Sequence, residues 1–267
     1  MTVLHPEYKA AKLPCAAAPE RWTRHPFLAR LERFIALSDE ERSALWRLIE
    51  AEVTVKRHSE LVVDGYAYRK LCFVEDGFAA RYKLLRNGKR QIISFILPGD
   101  VIGLPGSFLE RAGYSVVGLT DLRLQVCSIH AYIDLCGRYP QFGLALSWLA
   151  VQEAITCAEN VVNNGRRTPA ERLAHFLLEI HARLAMIGRA TETGFDLPFS
   201  QEVMSDALGL SVPHLNRTLA KLRADGLLAV KDHHVELIER QALELLGHFE
   251  RLSLMRIPSG PAWAAHS

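Results

Sequence analysis

Few folds accommodate the stretch Ser200–Asp225. Ser200 is a good N-cap for a helix over Gln201–Leu208, Gly209 can take the left-handed conformation that ends it, and Ser211 stands ready to cap a second helix with Pro213 in its first turn. A helix, a turn of about three residues containing Gly, then a helix is the spacing of a DNA-binding helix-turn-helix. In the second helix Leu215, Leu219 and Leu222 share an apolar face, while His214, Arg217, Lys221 and Arg223 lie on the other, and no acidic residue occurs between Asp206 and Asp225. A basic helix face can simply be solvated. The capped helix before it, the glycine turn and the hairpin after it favour DNA instead. That hairpin is predicted from Leu227–Val230 and Val235–Ile238, two strands joined by Lys231-Asp232-His233-His234, so the unit reads as a winged helix. His233 and His234 read as turn residues rather than contacts or metal ligands.

Upstream, the punctuation changes. From Val53 to about Ser128, short runs rich in Val, Ile, Leu and aromatics are broken by Asp64-Gly65, Asp76-Gly77, Asn87-Gly88 and Pro98-Gly99-Asp100, which predicts an antiparallel sandwich or barrel. Before it, residues 26–50 show helical periodicity, with Ser38 and Glu41 forming a capping box that starts a second helix. After Tyr139-Pro140 a helix of roughly 24 residues, about 36 Å long, is predicted to end at Asn163-Asn164-Gly165. Leu144, Trp148, Val151, Ile155, Ala158 and Val162 recur along it in alternating steps of four and three, a heptad seam that suits a two-stranded coiled coil between subunits. The same periodicity also suits a helix lying on its own barrel, and Leu146 and Leu149 could cover the barrel while the seam faces a partner. Asn164-Gly165-Arg166-Arg167 reads as a hinge. Thr168, Pro169 and Glu171 open a further helix to about Ile187, and Phe195–Phe199 reads as a short strand-like piece.

The partition expected is therefore a flexible tail at 1–25, a sensor domain at 26–138, a dimerisation helix at 139–164, a winged helix-turn-helix at 165–250 and a C-terminal tail at 251–267. With 267 residues, 49% hydrophobic and 23% charged, two globular domains are the natural reading. A net charge of +2 means that any basic surface is local. No apolar run approaches the roughly 18 residues of a membrane span, and the N-terminus lacks the apolar core of a secretory signal, so a cytoplasmic protein with no membrane partner is expected. Five scattered cysteines (Cys15, Cys72, Cys127, Cys136, Cys157) show no CxxC pair or zinc spacing and fit a reducing compartment. No GxSxG, P-loop, HExxH or paired-carboxylate motif is present, so an enzyme is not expected.

Leu97-Pro98-Gly99-Asp100-Val101-Ile102-Gly103 and, more specifically, the segment from Ser200 to Leu228 resemble the Crp/Fnr family of bacterial regulators, cyclic-AMP receptor protein and its relatives, over about residues 26–250. The resemblance implies an α+β chain with an antiparallel β-roll sensor of the cyclic-nucleotide-binding, jelly-roll kind, a long dimer helix and a C-terminal winged helix-turn-helix. It implies that Arg217 reads a base and that Ser200 touches phosphate. Where many relatives carry Glu on the recognition helix this chain has Pro213, which makes His214 and Asn216 candidate readers, alongside Ser211 and Lys221 toward the backbone. The sensor also departs from the family. The positions of the Glu that holds the ribose and the Arg that neutralises a cyclic phosphate are Leu104 and Tyr114, although Gly103 and Ser115 are retained, so cyclic AMP in the usual pose is not expected. Cys15 stands alone where an iron-sulfur cluster would need several cysteines. No cofactor is required. Haem stays open through His25, His58, Cys72 or His130. The family's ligand-facing hydroxyl position falls on Cys157, as a thiol that reports redox state or a small buried residue.

The function expected is a homodimeric, sequence-specific regulator on a palindromic promoter site, with double-stranded DNA and RNA polymerase as partners. The rival is a ligand- or redox-responsive module whose winged helix docks protein.

Overall fold

The fold comes from a computed structural model that describes residues 10–12, 20–104 and 106–250. Cys15 and residues 251–267 lie outside them. In chain order come β1 (Ala10–Lys12), α1 (Glu20–Thr23), α2 (Pro26–Leu31), α3 (Asp39–Arg47), β2 (Ala51–Val55), β3 (Glu60–Val62) and β4 (Lys70–Asp76). A hairpin of β5 (Ala79–Leu84) and β6 (Arg90–Ile96) is next, then β7 (Val101–Ile102), β8 (Ser115–Gly118), β9 (Leu122–Ser128), α4 (Ile129–Arg138) and the 26-residue α5 (Gln141–Arg166). The remainder is α6 (Pro169–Met186), β10 (Gly194–Asp196), α7 (Gln201–Leu208), α8 (Val212–Ala224), β11 (Leu228–Lys231), β12 (His234–Leu237) and α9 (Arg240–Leu246).

The chain forms two compact units. The first comprises the described residues up to Ala79 together with Ile96–Glu153. The second comprises Ala80–Phe95 and everything described from Ala154 onward, so α5 passes from one to the other. In the first, an antiparallel sheet runs in the order β1-β2-β9-β4-β7 and β3 pairs with β8, as expected of a β-rich sensor. Its core joins that sheet to the helices through Trp22, Phe27, Leu31, Leu45, Phe73, Tyr132, Phe142 and Trp148. The capping box at Ser38 is complete in both directions. The ordered core begins before the expected boundary, because Trp22 and His25 are buried and Trp22 packs on Trp46 with ring centroids 5.2 Å apart.

The second unit is built on α6, whose cap Thr168 accepts from Glu171 N while the Glu171 side chain accepts from Thr168 N at 2.8 Å. Its sheet has three strands, in the order β10-β12-β11. The strand-like piece expected at Phe195–Phe199 is instead Gly194–Asp196, shifted because it pairs antiparallel with His234–Glu236 of β12. Asp232 and His233 both take positive φ, 49° and 66°, giving a tighter hairpin than the four-residue connection expected. The hinge differs as well. Gly165 is helical and α5 continues to Arg166, so the break falls at Arg167, immediately before the capping box.

Candidate nucleic-acid interface and sensor loop

Two helices and one glycine position the candidate interface. Ser200 caps α7, its Oγ accepting from Val203 N at 3.3 Å, and Gly209 ends the helix at φ 62° and ψ 34°, the left-handed conformation expected of it. Ser211 occupies the N-cap position of α8 without a side-chain cap bond, a departure from the expected cap that leaves its hydroxyl free of the helix. With Val212 and Pro213 as the first two helical residues, one orphan donor of that turn is absent in any case, because proline has no N–H.

Leu215, Thr218 and Leu222 turn inward, whereas Ser211, His214, Asn216, Arg217, Lys221 and Arg223 are exposed. All the predicted readers therefore stand on the solvent side of α8, with Ser200 exposed at the start of α7. Asn216 is not idle: its Nδ2 donates to Gln201 Oε1 at 3.0 Å, tying the recognition helix to the first turn of α7. Gln201 was not among the expected residues, and only its position directly after the cap could have signalled it. In the wing, His234 Nδ1 lies 2.8 Å from Asp196 Oδ1, a contact that joins β12 to β10.

In the sensor loop four of the five expected pocket residues share one environment in the first unit. Gly103 has φ +111°, and a Cβ on it would sit 2.3 Å from the Lys70 carbonyl, so glycine is the residue that fits. Ser107 bridges back, its Oγ donating to that same carbonyl at 2.8 Å. Tyr114 is buried, its hydroxyl donating to the Leu104 carbonyl at 2.9 Å and accepting from Gly106 N at 3.3 Å. The phenol thereby takes up the Gly106 amide of the loop, and the Leu104 side chain beside it is buried and apolar. Ser115 Oγ accepts from Asp64 N at 3.1 Å. The fifth residue, Cys157, belongs to the second unit and is half-buried on α5.

The sensor motif also reaches α5. Asp100 accepts from Leu97 N at 2.7 Å and pairs with Arg30, whose guanidinium lies 5.9 Å from the centroid of Trp148. Phe34 stacks on Trp148 with ring centroids 5.0 Å apart and planes 9° apart. Trp148 is thus committed to the core of its own unit, a correction to its place in the seam, and Ile155 is half-buried. Leu144, Val151, Ala158 and Val162 are exposed. The solvent-facing line takes Ser147, Ala154 and Val161 between them, one residue round the helix from the expected positions; along the N-terminal turns Phe142, Ala145, Trp148 and Leu149 are buried instead.

Of the groups named as haem ligands, His25 has both ring nitrogens engaged: Nδ1 accepts from Phe27 N at 3.1 Å, and Nε2 lies 2.6 Å from Gln125 Oε1. Cys72 is buried 3.1 Å from the Tyr68 hydroxyl, and burial pushes its thiol up to about 11. His58 and His130 are exposed. Among the described residues no cluster of three or more His, Cys, Asp or Glu could hold a metal ion.

Residues 171–246 match the Crp-like helix-turn-helix domain, and residues 52–139 match the cyclic nucleotide-binding domain. The chain is 31% identical over 174 residues to the transcriptional activatory protein AadR of Rhodopseudomonas palustris, covering 64% of this chain and 70% of that protein. It is likewise 31% identical over 174 residues to the nitrogen fixation regulation protein FixK of Bradyrhizobium diazoefficiens, covering 65% and 72% respectively. Among solved structures, FixK2 from Bradyrhizobium japonicum matches with a TM-score of 0.67 and 28% identity, over 73% of this chain and 96% of that one. Antiparallel sheets, a long helix, an exposed basic recognition helix and these relatives agree: the chain belongs to the Crp/Fnr family of DNA-binding transcription regulators.

Proposed function

We propose that this protein is a homodimeric activator that reads a palindromic promoter site in the cytoplasm and is controlled by a signal other than cyclic AMP in the usual pose. One observation carries the reading: His214, Asn216, Arg217 and Lys221 project from the exposed face of α8, behind a helix capped by exposed Ser200. An arginine on such a helix can donate in a fork to guanine O6 and N7, whereas lysine and serine hold phosphates. Activation, and with it contact to RNA polymerase, is inferred from relatives named as activators, AadR and the FnrL protein of Cereibacter sphaeroides. No helix of the described residues is long and apolar enough to cross a membrane.

The second copy is inferred from α5. Its exposed Leu144, Val151, Ala158 and Val161 follow a heptad spacing, and Val161 is 74% exposed in the isolated chain, an apolar side chain that a paired helix would cover. Two recognition helices related by a two-fold axis then enter successive major grooves about 34–36 Å apart. The cyclic-nucleotide site does not fit its usual ligand here, since Leu104 offers nothing to a ribose hydroxyl and Tyr114 closes on the loop where a guanidinium would meet phosphate.

Selection from a random double-stranded library with the full-length protein at moderate salt is expected to return a two-fold symmetric motif. Recovery of no motif, or retention of DNA that does not change with salt, would overturn the reading in favour of a protein-docking winged helix.

A further inference from the structure

The last turn of α7 is held by side chains from three other elements of the second unit. Gln91 of β6 donates through Nε2 to the carbonyls of Asp206, at 2.9 Å, and Ala207, at 3.3 Å. Asn164, in the last turn of α5, donates through Nδ2 to the same Ala207 carbonyl at 3.4 Å. Arg172 of α6 donates through Nη1 to the Leu208 carbonyl at 3.0 Å, and through Nε to the carbonyl of Arg167, where α5 breaks, at 2.8 Å. Next to Gln91, Arg90 holds Asp206 from two nitrogens, with Nε and Nη2 lying 2.8 and 2.7 Å from Oδ2. The hairpin is seated further by Phe95, which stacks on Phe199 with ring centroids 4.4 Å apart, and by Asn160 donating to the Ile93 carbonyl at 2.9 Å.

The final carbonyls of a helix have no partner within it and are ordinarily left to water or to a local cap. In α7 they are met by donors from the hairpin, the long helix and α6 together. The residue immediately after them is Gly209, whose turn sets the direction of α8. A Cβ at that position would lie 3.2 Å from Asn164 Oδ1 and 3.6 Å from Arg172 Nη1, so the clamp and the turn are packed against each other. Arg90 neutralises Asp206, the acidic residue that directly precedes the basic stretch of the recognition helix. None of these contacts involves Ser200, Ser211, His214, Arg217 or Lys221, so the clamp leaves the reading surface open.

We propose that Gln91, Asn164 and Arg172 are positioning residues for DNA recognition, fixing the Gly209 turn so that the hairpin and the end of α5 set how α8 is presented to the groove. The proposal rests on the DNA-reading function above. Arg172 links the break in α5 to the turn through one guanidinium. Gln91 makes the β5–β6 hairpin part of the reading head.

The test uses full-length protein with two duplex probes of equal length, the selected operator and a random sequence. Gln91→Glu keeps the shape but turns two donors into a carboxylate facing two carbonyls and Asp206, whereas Gln91→Lys keeps a donor at the helix C-terminus. Gln91→Glu is expected to lower operator affinity about tenfold while changing random-duplex affinity less than about twofold. Gln91→Lys is expected to stay near wild type, and Asn164→Ala to repeat the Gln91→Glu pattern. Amide exchange at Leu210, whose N–H donates to the Ser205 carbonyl at 3.1 Å, should quicken in the same two variants. A merely stabilising contact would lower Tm and leave both the operator-to-random ratio and this amide unchanged, and that result overturns the proposal. If Gln91→Glu fails to fold, Asn164→Ala decides by the same readouts. A wild-type protein that does not discriminate the two probes overturns the DNA reading itself, whereas equal discrimination by wild type and variants removes only the clamp.

Discussion

Arg217 and Lys221 both stand exposed on α8, yet they should fail differently when removed. Arg217→Ala is expected to cost about 1–3 kcal/mol on the selected operator and to relax preference at one base per half-site, while Lys221→Ala should weaken every duplex alike and reduce the salt slope. Binding isotherms on operator and random duplexes at several salt concentrations separate them; equal loss on both probes for Arg217→Ala removes its base-reading role. In the sensor loop, saturating cyclic AMP is expected to leave Tm unchanged, because Tyr114 already holds the Leu104 carbonyl and the Gly106 amide. A ligand present at 100 times its Kd would add about 2.7 kcal/mol, so thermal denaturation with and without the nucleotide is decisive. His175 carries a pH dependence. Its Nδ1 lies 3.0 Å from the Gly247 carbonyl and its Nε2 3.6 Å from Glu159, with Arg167 and His248 also nearby. Burial holds this imidazole below its ordinary value, against the opposing pull of Gly247 and Glu159. A histidine depressed in the folded state binds its proton more readily once unfolded, so its contribution is complete above about pH 6.5 and is lost as the pH falls below that. Tm should therefore drop on acidification to about pH 5.5, and His175→Gln should shallow that slope. An unaltered slope in the variant assigns the drop to other groups.

Two elements depend on single local features. Gly209→Ala is expected to destabilise by about 1–2 kcal/mol, since the left-handed region is unfavourable for any residue with a Cβ and the added atom would meet Asn164. Thr168→Ala removes the acceptor for Glu171 N at the start of α6 and should cost about 1 kcal/mol by denaturant unfolding, with m unchanged. These features were legible in the sequence because caps and left-handed glycines act within a few residues of one another. The capping boxes at Ser38 and Thr168 stand where the residues placed them, and Gly209 has the conformation its position required. Ser211 shows where that logic stops: its residue type suits a cap, yet its hydroxyl makes no cap bond. Gly165 shows the same for breakers, since the hydrogen-bonded turns around it carry the helix through to Arg166.

At the scale of the molecule, Leu144, Val151, Ala158 and Val161 are exposed along α5, the face proposed above for a second copy. Val151→Glu or Val161→Glu is expected to convert a dimer to a monomer in sedimentation and to lower operator affinity at least tenfold, about 1.4 kcal/mol or more, because one half-site then binds alone. A variant that stays dimeric moves the interface elsewhere. The order of parts came from sequence alone: the strand-like period and turn punctuation of the sensor, the uninterrupted period of the long helix and the capped pair with its basic face are all written in residues close along the chain. The departures at Leu104 and Tyr114 were legible only through the resemblance to the family, as single residues at positions it marks. Tertiary structure decided which side of α5 is free, because Trp148 fits a heptad as well as Val151 does, and it is drawn into a core in which Phe34 and Arg30, more than a hundred residues earlier, lie against its ring. It also decided that the phenol of Tyr114 turns onto the loop backbone. And it joined the β5–β6 hairpin to the DNA-reading unit, since the donors of Arg90 and Gln91 find their acceptors at Asp206 and Ala207, across a separation that no local pattern spans.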